Sequence, residues 1–149
     1  MLVSDGIDAK LFGALKAAAT AEGADVDVIA PTIGGVDASD GSQIAAEDRL
    51  NGGPSVLFDA VAVLTSADGA ARLASNASAR DFISDAYANL KYIGFNDAAA
   101  ALLNRAGVET KEEAGIVPLK DAGDASAFIT ACRNLRIWDR EEKTKMSMK

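Results

Sequence analysis

Five consecutive apolar residues, Ala60-Val61-Ala62-Val63-Leu64, offer no polar side chain at alternate positions. A strand formed there must be covered on both faces, which is the situation of a central strand in a parallel sheet. Parallel strands need long crossovers, so helical spacing should appear before and after this run, and it does. Ile7, Leu11, Leu15 and Ala18 recur at helical spacing up to a stop at Gly23. A second helix is predicted with Ser78 as its cap, Phe82, Ile83, Ala86 and Leu90 on one face, and Arg80, Asp81, Asp85 and Asn89 opposite. A third carries Leu102 and Leu103 and stops at Gly107, and a closing one aligns Phe128, Cys132 and Leu135 with Trp138 near the same stripe.

Between the helices lie short strand candidates. Met1 to Ser4 precede a turn at Asp5-Gly6, Ala24 to Ala30 end at Pro31, and Tyr92 to Phe95 lead into Asn96, placed as a helix cap. Ile116 to Leu119 read as an edge strand, where Pro118 need not donate to a ladder. The Gly-, Asp- and Ser-rich stretch 32–54 reads as a hairpin excursion, with short strands around Gly35-Val36 and Gln43 to Ala46. Repeated right-handed βαβ units predict an α/β domain: a three-layer α/β/α sandwich with a mainly parallel sheet over residues 1–138. The charge-rich segment 139–149 is expected to be a flexible, solvated tail.

The length of 149 residues suits one domain. A formal charge of -7, from 15 Lys and Arg against 22 Asp and Glu, comes without any basic stripe, which speaks against nucleic acid as a partner. With no histidine, the chain cannot build a Ser-His-Asp or Cys-His site or a His-ligated metal or haem. One cysteine permits no internal disulfide. The absence of a bilayer-length apolar run predicts no membrane span, and the lack of a leader pattern at Met1 predicts a cytoplasmic location. The first strand has only three or four residues before Asp5, so the chain is expected to be a piece of a larger one.

In this architecture a ligand site lies beyond the carboxyl ends of the strands, at Ser4 to Asp8, Thr65 to Asp68 and Asn96 to Ala98. The first of these loops sets one glycine between Asp5 and Asp8, an arrangement that repels phosphate. The two acids are also reminiscent of a magnesium-binding receiver site, but Thr65 and Ser66 stand where a third aspartate is needed and Asp68 comes late. Asp5 and Asp8 read more simply as the turn and cap of the first helix. The strand-to-helix bend at Asn96-Asp97 carries neither a thiol nor an activated hydroxyl. Cys132, on the apolar face of the last helix, is expected to stay a packed thiol with a raised pKa.

The order of Asp5-Gly6-Ile7-Asp8 after the first strand, Phe58-Asp59 leading into the apolar strand, and Lys91-Tyr92-Ile93-Gly94-Phe95 before an elbow resembles the PfpI-type class I glutamine-amidotransferase-like superfamily. The ending 128–141, with Trp138-Asp139-Arg140-Glu141, is similar to the closing signature of the carboxyl-terminal domain of large-subunit catalases. The resemblance covers nearly the whole chain and implies a flavodoxin-like fold. Superfamily enzymes pair an elbow cysteine with an acid from the first loop. Carried over, the acid falls on Asp8, one methylene shorter than the usual glutamate, and the nucleophile falls on Asn96 or Asp97. The resemblance therefore implies a degenerate pocket at Asp8, Asn96 and Asp97 with no catalytic residue.

It also implies a parent haem enzyme that decomposes hydrogen peroxide, with the haem and its ligands in an amino-terminal barrel. Tyr87 and Tyr92 do not match the haem-ligand motif. The implied role is a non-catalytic accessory domain contributing to stability, assembly or substrate access, with the catalase core and neighbouring subunits of a homotetramer as partners. Two alternatives accompany it: chaperone-like binding of unfolded proteins, and residual hydrolase or glyoxalase activity using Asp8 and Asp97 as an acid pair.

Overall fold

The computed structural model describes residues 1–141. A six-stranded, all-parallel sheet forms its middle layer. In chain order its strands are β1 (Leu2–Val3), β2 (Ile29–Ala30), then, after a two-stranded antiparallel hairpin of β3 (Val36–Asp37) and β4 (Gln43–Ile44), β5 (Asp48–Arg49), β6 (Val61–Leu64), β7 (Ile93–Phe95) and β8 (Ile116–Pro118). The spatial order is β5-β2-β1-β6-β7-β8, so the apolar run sits at the centre, paired with β1 on one side and β7 on the other. All four of its residues are buried, as a strand covered twice requires.

The helices are α1 (Ala9–Ala21), α2 (Ala67–Ala74), α3 (Ala77–Ala88), α4 (Ala100–Arg105) and α5 (Ala122–Ala131). The alternation of strand side chains sorts them into two layers. Leu2, Val61, Val63, Ile93 and Phe95 face α2, α3 and α4, where Leu73, Phe82, Ile83, Leu102 and Leu103 pack on them. Val3, Ala30, Ala62 and Leu64 face the other way, against Leu11 and Leu15 of α1 and Phe128 of α5. Gly94 in mid-strand belongs to this second face: a Cβ there would come within 2.8 Å of Leu119 and 3.1 Å of the Phe128 ring, so its absence lets α5 sit close to the sheet. The three-layer α/β/α sandwich and the hairpin excursion thus stand as the sequence predicts.

Several details differ. α2 was not anticipated, because its apolar residues are mostly alanine and its inward face includes Gly69. β5 closes the far edge with Asp48 and Arg49, a pair without strand character that is held by parallel pairing to β2. The cap of α3 is Asn76, whose Oδ1 accepts from Ala79 N at 3.2 Å, and not Ser78, which lies inside the helix. The closing helix ends at Ala131, with a 3-10 turn over Cys132–Asn134 and Leu135 at φ 62°. That left-handed residue turns the chain, so Leu135 and Trp138 leave the apolar stripe and are exposed.

The turn carries Arg140 inward. Its guanidinium donates to the carbonyls of Tyr87 (3.1 Å), Lys91 (2.9 Å) and Ala114 (2.9 Å) and lies 4.4 Å from the Tyr87 ring centroid. A cation at the carboxyl end of α3 is favoured by the helix dipole, and one planar fork here serves the end of a helix and the approaches to two strands. Arg140 is 2% exposed, so the packed body continues past the expected boundary at 138, because this side chain is anchored inside it. The rest of the expected tail, 142–149, lies outside the described residues.

Lys91 is buried beside it and donates through Nζ to Ser55 O at 2.6 Å. Burial holds its pKa below the ordinary 10.5, reinforced by Arg136 and opposed by Asp59.

Two outcomes follow from these buried cations. Arg140→Met should lower unfolding free energy by on the order of 3 kcal/mol in urea titrations, because three buried carbonyls lose a charged donor; Arg140→Lys should recover only part, since one ammonium cannot span them. For Lys91, the unfolded chain binds the proton more tightly than the folded one, so in the window just below pH 10.5 native stability rises with pH. Lys91→Met should abolish that rise, read as urea midpoints across alkaline pH.

Candidate functional site

The loops beyond the carboxyl ends of β1, β6 and β7 meet, as the topology requires, and their polar groups bond to one another. At β7, Asn96 makes a two-way amide bridge to β6: Thr65 N donates to its Oδ1 at 3.1 Å, and its Nδ2 donates to Thr65 O at 2.7 Å. Asn96 occupies the position before a 3-10 turn over Asp97–Ala99, but its side chain makes no capping bond. The expected role as helix cap is therefore corrected: the amide satisfies the end of the neighbouring buried strand, which has no other layer of sheet to do so.

At β1, Ser66 N donates to Ser4 Oγ at 3.3 Å, Ser66 Oγ donates to Asp5 O at 2.7 Å, and Gly69 N donates to Ser66 Oγ at 3.0 Å. Ser66 thus caps α2 while tying it to β1. A Cβ on Gly69 would overlap Ser4, which explains a glycine in the first turn of a helix.

The acids of the first loop are equally committed. Asp8 caps α1, its Oδ1 accepting from Lys10 N at 2.9 Å and Leu11 N at 3.3 Å. Asp5 Oδ1 accepts from Asp37 N at 2.9 Å, joining the loop to the hairpin. Asp97 is exposed on its turn, and among the described residues it shares no hydrogen bond with Asp8. The strand order separates their loops by β6, so an acid pair acting on one substrate atom has no geometric support. Thr65 Oγ1 is buried without a hydrogen-bond partner at this end of the sheet. The sequence pointed to these loops but not to the bonds among Ser4, Thr65, Ser66 and Asn96. The one available signal was that all are small polar residues following buried strands.

Nor do the residues fit a haem. Tyr87 donates its hydroxyl to Glu113 at 3.1 Å and stacks under Arg140, and the Tyr92 hydroxyl accepts from Asn134 at 3.4 Å. Cys132 has its pKa pushed up to about 12 by burial, so it stays a thiol and is a poor axial ligand. Among the described residues no cluster of three or more His, Cys, Asp or Glu is placed to hold a metal ion. No described helix is long and apolar enough to cross a membrane.

At the opposite, amino end of the sheet lies a cleft of about 670 Å³. Its floor is Met1, Ala60, Val61 and Ala62, and Ala19 of α1 with Ile129 and Cys132 close one side. The sequence reading, confined to strand carboxyl ends, missed it.

A family model described as the C-terminal domain found in long catalases matches residues 1–142. Catalase C of Rhizobium meliloti is 48% identical over 146 residues, covering 98% of this chain and 21% of that protein. Catalase-2 of Bacillus subtilis is 35% identical over 144 residues, covering 94% of this chain and 20% of that protein. The chain spans about a fifth of the length of the curated relatives it matches. Among solved structures, Schizosaccharomyces pombe DJ-1 superposes with a TM-score of 0.73 at 15% identity, covering 98% of this chain and 96% of that one. A ThiJ/PfpI domain protein from Brachyspira murdochii gives 0.70 at 14% identity, covering 90% and 92%. At such identities the likeness shows the fold alone, and it is the flavodoxin-like fold of the DJ-1/ThiJ/PfpI structures.

Asn96→Ala should cost about 1–3 kcal/mol in urea unfolding, since it strands a buried N–H and a buried carbonyl of Thr65 together. Asn96→Asp should cost as well, because a carboxylate accepts from Thr65 N but cannot donate to Thr65 O.

Proposed function

We propose, from the fact that this chain belongs to the family of C-terminal domains found in long catalases, that it is a non-catalytic accessory module of a hydrogen-peroxide-decomposing enzyme. The observation that carries this reading is the state of the strand-end loops. In an active site of this architecture the residue after β7 must keep a reactive group free for substrate. Here that residue is Asn96, and its whole amide is engaged by Thr65. Asp8, the other half of the degenerate pocket, is engaged by the backbone of α1, and Asp97 brings an exposed carboxylate without a partner nucleophile.

The haem of such an enzyme belongs, in this reading, to the core that precedes the domain in long relatives. The domain's partners are that core and the neighbouring subunits of a tetramer, and its contribution is to stability, assembly or the access of peroxide. A cytoplasmic location accords with the unpaired Cys132.

The test is reconstitution. The purified chain, mixed with a long-catalase core lacking its own C-terminal domain, should co-purify with it and slow its inactivation by heat. By itself the chain should turn over neither methylglyoxal nor a glycated thiol. Enzyme-like turnover by the chain alone, abolished in Asp97→Ala, would overturn the reading.

A further inference from the structure

The cleft at the amino end of the sheet has the shape of a missing strand. Leu2 of β1 lies level with Ile29 of β2 on one side and Val63 of β6 on the other. Carrying that register backwards sets Asp27 across from Val61, and Asp25 across from Asp59. These residues line the cleft. Since β1 separates β2 from β6, the gap between its two walls is one strand wide, about 10 Å from backbone to backbone.

The walls are prepared for pairing. The Met1 nitrogen donates to Asp27 O, and Ile29 N donates to Met1 O, so ladder geometry persists to the lip of the gap. On β6, Val61 N is turned away, donating to Tyr92 O at 3.1 Å. The alternation of a parallel ladder therefore directs Ala62 N–H and Ala60 C=O into the gap. An extended segment there would have apolar contacts above and below: Ala19, Ile129 and Cys132 towards one layer, and Leu57, itself 65% exposed, towards the other.

Charge selects among possible occupants. Glu22, Asp25, Asp27, Asp48 and Asp59 surround the cleft, and the cationic side chain among its described lining residues, Arg133, is already held by Glu22. Five acids against one satisfied cation favour a basic segment, and repel a second copy of a chain whose formal charge is -7.

We infer that this slot takes an extended, apolar and cationic segment of the catalase core polypeptide, laid parallel between β2 and β6 as a continuation of β1. The inference rests on the accessory-domain reading for the identity of the partner and adds the place and manner of attachment. It is strand addition, with main-chain bonds supplying affinity and the acid rim supplying selectivity.

The probe is the ten residues immediately ahead of the matched region in Catalase C of Rhizobium meliloti, fused in front of Met1 of the full chain, with a shuffled extension of the same composition as control. Amide exchange at 26–28 and 60–63 should slow at least tenfold with the authentic extension relative to the shuffled one. Asp25→Lys with Asp59→Lys should remove most of that gain, while the same double variant without an extension, followed by circular dichroism, reports whether the fold is kept. Equal exchange with both extensions, or a gain indifferent to charge reversal, overturns the inference. So does an unextended chain that sediments as a dimer and becomes monomeric in the double variant, which would give the slot to a second copy. If the slot is protected but the chain fails to co-purify with a core, the failure falls on the accessory-domain reading; the reverse result falls on the slot alone.

Discussion

A strand buried on both faces has only its two ends through which unpaired backbone groups can reach solvent, and β6 is such a strand, flanked by β1 and β7 and covered by helices on either side. Leaving a buried N–H or C=O unmet costs about as much as several good hydrogen bonds contribute, so whatever follows such a strand must first serve its backbone. Most of the polar chemistry of this molecule can be traced to that demand. At the carboxyl end Asn96 answers it for Thr65, while Ser4 and Ser66 knit β1 to the start of α2. Groups that elsewhere in this architecture face a ligand are here consumed by the scaffold.

The substitution of an amide for a reactive nucleophile is therefore more than a loss. A thiol at position 96 could not both accept from Thr65 N and donate well to Thr65 O, whereas an asparagine amide matches an exposed peptide edge donor for acceptor. An arrangement of this kind exchanges reactivity for rigidity at the point where the strand-end loops converge. It also accounts for the neighbouring glycine, since the close approach of Gly69 to Ser4 is possible only without a side chain.

Much of this was legible in the sequence, and the failures share a cause. Strong apolar runs and helical stripes announced β6, β7, α1 and α3, and Pro118 was rightly assigned to an edge. What stayed hidden depended on pairing with distant residues: β5, whose Asp48 and Arg49 are strand only because β2 holds them, and α2, whose alanines and glycine give periodicity little to grip. The last helix was read too long because Leu135 and Trp138 continue its spacing; a left-handed φ at Leu135, which no local pattern signals, breaks it. At the site, the loops were located correctly by topology, but Asn96 was given the usual role of asparagine before a helix. Capping preference is a local prior, and the unsatisfied peptide of Thr65, thirty-one residues away in sequence, outweighed it.

The two ends of the sheet are finished differently, and the difference is asymmetric across it. At the amino ends of β7 and β8, Arg140 gathers carbonyls from three segments and Lys91 reaches Ser55, so that side is sealed by buried cations whose desolvation is offset by carbonyl dipoles. At the amino ends of β1 and β2 no comparable plug exists among the described residues; the surface there is a cleft with an apolar floor and an acidic rim. A chain that uses its own cations to close one half of an edge and surrounds the other half with carboxylates has arranged opposite electrostatics a few strands apart. Since the same parallel ladder runs through both halves, the requirement for backbone partners is the same in each. In the sealed half it is met from within the domain; in the acidic half the complementary group is a cationic strand, and the register of β2 and β6 leaves room for one.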